Sequence, residues 1–155
     1  LNLSVVRPQD ERLGRVAKAA PGTETAARRL LALMEAGLTP MMSSVGIDDE
    51  GRLWNINADD VALAVALLLK APLIFLSDVR GVLNADKALI RELTPHAAQK
   101  LIAEGIISGG MTVKVNAALA AAASTKAPVA VASVFDETLT HCLLSGKLPG
   151  TVFAV

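Results

Sequence analysis

The sequence predicts an α/β fold, a three-layer αβα sandwich around a mostly parallel sheet. Three observations carry the expectation. Helical patterns alternate with short strand patterns, the later strands are apolar on both faces, and 52% of the residues are hydrophobic while 3% are aromatic. Alternation of this kind marks βα units, and strands without polar alternation belong to sheets that helices cover on both sides. A length of 155 residues is enough for a domain with its own core.

The elements follow in order. Residues 1–6 and 13–18 read as two strands joined by a polar turn that contains Pro8. Pro21-Gly22-Thr23 breaks the chain before a helix over 24–36, whose Ala27, Leu30, Leu31 and Met34 recur at helical spacing; Gly37 is its stop. A short strand over 41–45, a polar turn over 46–51 and a return strand over 52–54 come next. Asn55 to Asp60 opens a helix that runs to about Lys70, with an Asn cap and first-turn carboxylates matched to the helix dipole. The run 73–76 is a strand and 77–81 its loop. Thr94-Pro95 starts another helix, Thr as cap and Pro at the first helical position, ending near Gly105. Ser108-Gly109-Gly110 leads into a long helix to about Thr125, followed by a strand over 128–132, a helix over 136–144 and a last strand over 151–154.

Composition removes several classes of function. Fifteen Lys+Arg balance fifteen Asp+Glu, so there is no basic excess to bind nucleic acid or an acidic membrane. One cysteine excludes an intramolecular disulfide framework and any Cys-rich metal site, and His96 and His141 stand too far apart in sequence to suggest a metal centre. The longest apolar run, 61–69, is about half of the roughly 20 residues that cross a bilayer, and no leader pattern opens the chain; a cytoplasmic protein is expected.

In open α/β sheets ligands sit beyond the carboxyl ends of the strands, which directs attention to three loops. In 105–114, Gly109 and Gly110 precede a helix, so backbone can approach a ligand and first-turn amides can receive phosphate oxygens. Lys114 falls one turn into that helix, where an ammonium can neutralise a phosphoryl group, although a solvated surface lysine has the same spacing. In 55–59, Asn57 and Asp60 read as cap and dipole partner. Asn55 lies before the cap, where its amide can meet a substrate, and Asp59 is left open between capping and holding a lysine. In 76–83, a Ser-Asp pair ends a buried strand and Gly81 permits a tight turn, a frequent nucleotide-edge arrangement and equally an ordinary turn. His96 reads as surface, Trp54 as core or interface, and Asp48-Asp49-Glu50 as a solvated turn. His141-Cys142 has no third partner for nucleophilic catalysis.

Taken in order, Pro40-Met-Met-Ser-Ser-Val-Gly46, Asn55-Ile-Asn-Ala-Asp59, Leu76-Ser-Asp-Val-Arg-Gly-Val-Leu83, Gly105-Ile-Ile-Ser-Gly-Gly-Met-Thr-Val-Lys-Val-Asn-Ala-Ala118 and Gly150-Thr151 resemble the amino acid kinase family. The Ser-Asp-x-x-Gly and Gly-Gly-Met-x-x-Lys elements are general to it, whereas Asn-x-Asn-Ala-Asp looks like its acetylglutamate-phosphorylating branch.

The resemblance implies ATP-dependent phosphorylation of the side-chain carboxylate of N-acetyl-L-glutamate, a step of arginine biosynthesis. A carboxylate acceptor is already ionised near neutral pH, so the reaction needs no general base and rests on alignment and charge neutralisation. By the family pattern Lys114 stabilises the phosphoryl group and the leaving ADP oxygen, Asp59 orients catalytic lysines, and Asn55 contacts acetylglutamate. Asp78, Val79, Arg80, Gly81, Val82, Leu83, Ile106, Ile107 and Ser108 hold the nucleotide. Mg²⁺ comes bridged by phosphates, with no protein metal ligands expected. ATP and N-acetyl-L-glutamate are the implied partners, with neither nucleic acid nor membrane, in a homo-oligomer at least dimeric. Residues 1–155 match only the C-terminal, ATP-binding lobe, with 1–20 as a hairpin extension and 21–155 as the α/β core. The family's N-terminal Lys-x-Gly-Gly strand–loop is not among them, so this chain alone is expected to be inactive. Glutamate 5-kinase chemistry, or a non-catalytic arginine-sensing module of kinase-like fold, are the alternatives.

Overall fold

Residues 14–20 and 22–153 are described by the computed structural model, and the chain divides into two units, Leu1–Ala71 and Pro72–Val155. The first strand of the expected N-terminal hairpin, over 1–6, lies outside the described residues.

The first unit holds β1 (Val16–Ala17), α1 (Glu24–Glu35), β2 (Val45–Ile47), β3 (Leu53–Ile56) and α2 (Ala58–Leu69). β3 is the middle strand, parallel to β1 and antiparallel to β2. Ala17, Ile56 and Val61 form a buried cluster against which Ala19 and Trp54 pack. Both helices begin as their sequences dictate: Thr23 accepts the Ala26 amide at 3.2 Å, and Asn57 accepts the Asp59 and Asp60 amides at 2.8 and 3.4 Å. Asn57 is therefore the cap, which removes capping as a role for the Asp59 carboxylate. Gly37, at φ +79°, ends α1, and the Leu38 amide closes back on the Leu33 carbonyl.

The strand expected over 41–45 is displaced to Val45–Ile47, and 41–44 are irregular. The Asp48 carboxylate sets the register. It accepts the Glu50 amide at 3.0 Å, the Arg52 amide at 2.9 Å, Arg52 Nε at 2.7 Å and Trp54 Nε1 at 2.9 Å. That turn places Ile47 opposite Leu53 and Val45 opposite Asn55. The Ser44 carbonyl takes the Ile56 amide, and Asn57 already caps α2, so β3 offers no partner to residues before Ser44.

The second unit contains β4 (Leu73–Ser77), β5 (Glu92–Leu93), α3 (Pro95–Ala103), α4 (Gly110–Thr125), β6 (Val129–Ser133), α5 (Leu139–Leu144) and β7 (Thr151–Phe153). The strand order is β4-β6-β7-β5; β4 runs parallel to β6 and β5 to β7, while β7 lies antiparallel to β6. β6 is buried along its whole length, as a run without polar alternation requires. α4 turns Val115, Ala118, Ala121 and Ala122 inward, and these small side chains at helical spacing let the helix lie close on β6. Thr94 caps α3 with Pro95 at its first position. α5 starts at Leu139 rather than near residue 136, because the Asp136 carboxylate closes a turn of its own by accepting the Thr138 amide and hydroxyl at 2.9 and 2.7 Å. Among the described residues no helix is long and apolar enough to cross a membrane.

The four donors around Asp48 have a measurable signature. Its carboxyl is held well below the usual carboxylate range, first by the Trp54 indole N–H and then by Arg52. A depressed carboxyl stabilises the fold above its unfolded value near 3.8 and loses that contribution as pH falls through the folded value. Asp48→Asn is expected to lower the thermal midpoint at pH 7, by a deficit that narrows steadily as pH falls below about 4. Thermal scans across that range check this, and a deficit that ignores pH would refute the role.

Candidate functional site

The carboxyl end of β4 opens into a loop that β7 of the same unit holds in place. Thr151, fully buried on β7, accepts the Val82 amide at 2.8 Å and donates to the Ile90 carbonyl at 2.6 Å. Ile90 N–H in turn donates to the Val82 carbonyl at 2.8 Å, and Leu83 and Leu89 form an antiparallel bridge. The bend between them is set by Asn84, whose side-chain oxygen accepts the Asp86 and Ala88 amides. Gly81 has φ +135°, and a Cβ there would lie 2.6 Å from Thr151 Oγ1, so the chain can approach Thr151 only without a side chain.

The second wall comes from the end of α3. Gly105, at φ +72°, stops the helix, and the Ile106 and Ile107 amides both return to the Leu101 carbonyl at 3.0 and 3.1 Å. Residues 79–83 and 106–108 then face each other across a cavity of about 400 Å³ lined by Val79, Arg80, Gly81, Val82, Leu83, Ile106, Ile107, Ser108 and Met111. Its walls are mainly aliphatic, and Arg80 is the one charged side chain among them.

α4 begins at this cavity with no capping side chain: Gly109 occupies the cap position at φ +57°, ψ −134°. Met111 lines the cavity, and Lys114, three residues further, lies on the same helix face. The Lys114 ammonium donates to the Ser77 hydroxyl at the end of β4 and stands 3.8 Å from Asp78 Oδ1. Asp78 is held below the ordinary carboxylate range by the Ser77 hydroxyl, then by its own backbone amide and by Lys114. Asp136, beyond β6, is lowered by Thr138, with a smaller pull from Arg80 and Arg91.

Every nucleotide residue named from the sequence except Asp78 lines this one cavity, and Asp78 sits beside it with Ser77 and Lys114. Asn55 and Asp59 belong to the other unit. Asn55 is exposed in the middle of β3, between Val16 and Val45, and Asp59 is exposed in the first turn of α2. Sequence reading quoted Ser77, Met111 and Thr151 within its motifs and gave none of the three a role of its own. Met111 lies in a glycine-rich segment read for its backbone, while Lys114, which donates to Ser77, and both partners of Thr151 are remote in sequence. His96 is exposed, and Trp54 is half-buried with its indole on Asp48.

The sequence profile of the amino acid kinase family matches residues 4–133. The chain belongs to that family. An acetylglutamate kinase from Yersinia pestis (strain Pestoides F) is 46% identical over 154 residues, covering 99% of this chain and 58% of the relative. This amino acid kinase chain thus spans little more than half the length of that relative. Among solved structures, N-acetylglutamate synthase from Neisseria gonorrhoeae, complexed with coenzyme A and L-arginine, superposes with a TM-score of 0.76 at 24% identity, over 99% of this chain and 36% of that one. Carbamate kinase from Giardia lamblia bound to AMP-PNP gives 0.62 at 18% identity, over 99% and 59%. At these identities the two structures establish the shared α/β fold.

The anchoring of the cavity loop is open to direct test. Thr151→Val keeps the volume and leaves the Val82 amide and the Ile90 carbonyl without their partner. It is expected to cost about 2–4 kcal/mol in urea unfolding and to expose the Val82 amide to hydrogen exchange. Gly81→Ala is expected to give the same exchange phenotype by steric displacement. Unchanged protection at Val82 in both variants would show that the loop is held by something else.

Proposed function

We propose that this chain supplies the nucleotide-binding half of an acetylglutamate kinase, which transfers the γ-phosphoryl group of ATP to the side-chain carboxylate of N-acetyl-L-glutamate and yields N-acetyl-glutamyl phosphate and ADP. The observation that carries the reading is the aliphatic cavity between 79–83 and 106–108 with Lys114 one helical turn beyond Met111. The 46% identity to an acetylglutamate kinase supports the choice of acceptor.

In this reading the flat adenine ring lies between the aliphatic walls, a cavity size ordinary for such a ligand. The phosphates extend toward the uncapped start of α4, whose amides and dipole favour anions. Lys114 then meets the charge that develops on the transferred phosphoryl group and the leaving oxygen. Asp59 orients lysines and Asn55 contacts acetylglutamate. Mg²⁺, when bound, would supply neutralisation of the phosphate charge. The acceptor carboxylate is ionised at neutral pH, so no residue here has to remove a proton from it. A cytoplasmic location and a homo-oligomer belong to the same reading.

The test is a chimera in which the N-terminal part of the Yersinia enzyme precedes this chain. Coupled ADP release should depend on N-acetyl-L-glutamate in the chimera and be absent from the 155-residue chain alone. Lys114→Ala in the chimera should lower kcat by about 10²–10³-fold. Turnover that prefers L-glutamate would replace the acceptor, and an undiminished Lys114→Ala rate would remove the lysine from the mechanism.

A further inference from the structure

The lysine that faces the phosphates is itself held, and the holding group lies outside the cavity. Ser77 is the last residue of β4, fixed there by the backbone of β6 and the residue that follows it. It pairs with Ser133 in the parallel ladder, and its carbonyl accepts the Val134 amide at 2.9 Å. Its side chain makes two hydrogen bonds of opposite sense: the hydroxyl accepts from the Lys114 ammonium and donates to Asp78 Oδ1 at 2.9 Å.

The order of these bonds follows from the chemistry of a hydroxyl. It has one proton to give, and a carboxylate can only accept, so Asp78 takes the proton and the Ser77 lone pairs turn toward Lys114. Asp78 stands 3.8 Å from the ammonium, outside hydrogen-bond distance, and its side chain is 80% exposed. A direct ion pair so exposed orients a lysine weakly. A short side chain on a strand has little rotamer freedom, whereas lysine has a great deal to lose. A neutral acceptor also leaves the ammonium's charge intact and its other protons free for a second acceptor.

We propose that Ser77 is a positioning residue for Lys114: its hydroxyl, anchored on β4 and oriented by Asp78, fixes the direction in which the ammonium presents its remaining protons to an anionic oxygen. The proposal deepens the nucleotide reading and rests on it, because it assigns no separate ligand.

Two measurements on the 155-residue chain test it. Without nucleotide, carbon-detected NMR should show the Asp78 carboxyl titrating higher in Ser77→Ala than in wild type, since the Ser77 hydroxyl is the leading cause of its depression. The Lys114 ammonium protons should exchange faster in the same variant, and Ser77→Thr, which keeps the hydroxyl, should restore both signals. With nucleotide, the affinity for Mg-ATP is compared with that for adenosine, which has no phosphate. Ser77→Ala should reduce the preference for ATP by about 3- to 10-fold and Lys114→Ala by about 10-fold or more, with adenosine affinity unchanged and Ser77→Thr near wild type. If Lys114→Ala erases the preference while Ser77→Ala leaves it whole, the positioning role is wrong and the nucleotide reading stands. If Lys114→Ala changes nothing, the nucleotide reading fails and takes the proposal with it. Equal weakening of ATP and adenosine in Ser77→Ala would mark a merely structural serine and overturn it. Should neither ATP nor adenosine bind the chain, the ligand-free signals decide alone: an Asp78 titration and a Lys114 exchange rate indifferent to Ser77→Ala refute the proposal.

Discussion

A single buried hydroxyl organises the second unit. Thr151 Oγ1 holds the Val82 amide and the Ile90 carbonyl at the same time, so the loop after β4 and the approach to β5 are tied to β7 through one atom. Buried polar groups are tolerated only when paired, and here the pairing is also the architecture: the two backbone groups have no strand partner at that point and would otherwise face an apolar interior. Gly81 and Gly150 flank this arrangement for the same reason. A Cβ on Gly150, at φ +68°, would lie 2.8 Å from Ala132 Cα on β6, so the chain reaches Thr151 only by passing flush against that strand. The cavity wall at 79–83 inherits its shape from these contacts.

Small side chains play the complementary role behind the cavity. The alanines of α4 bring the helix down onto β6, and because its first turn borders the cavity, that packing also determines where Met111 and Lys114 stand. A bulkier stripe would lift the helix and move the lysine with it. The low aromatic content and high aliphatic content of the chain are two views of this design, close layers built from alanine and valine.

Local chemistry was legible in the sequence. Thr23, Asn57 and Thr94-Pro95 announced helix starts, Gly37 and Gly105 announced stops, and the structure places a cap or a left-handed turn at each. Residues 79–83 and 106–108, which the family resemblance names as nucleotide-holding, line one cavity. What escaped reading depends on distant partners. The start of β2 is set by where β3 ends; β5 has two residues and exists only as a partner for β7; the direction of β7 against β6 has no local signal. Thr151 looked like a strand residue because its partners lie 69 and 61 positions away. Asp59 was ambiguous between capping and holding a lysine, and only the Asn57 geometry removed the first option.

The bare start of α4 has a thermodynamic meaning. α1, α2 and α3 each satisfy first-turn amides with a side chain of their own, while α4 begins on Gly109 with none. A helix left in that condition is less secure in its first turn than its neighbours. An anion that settles there completes the helix as well as occupying it, so occupancy and local order become one equilibrium and saturation stabilises the fold by mass action. The amides of Met111 and Thr112 turn back to the Ser108 and Gly109 carbonyls at 3.2 Å, so backbone alone closes that first turn.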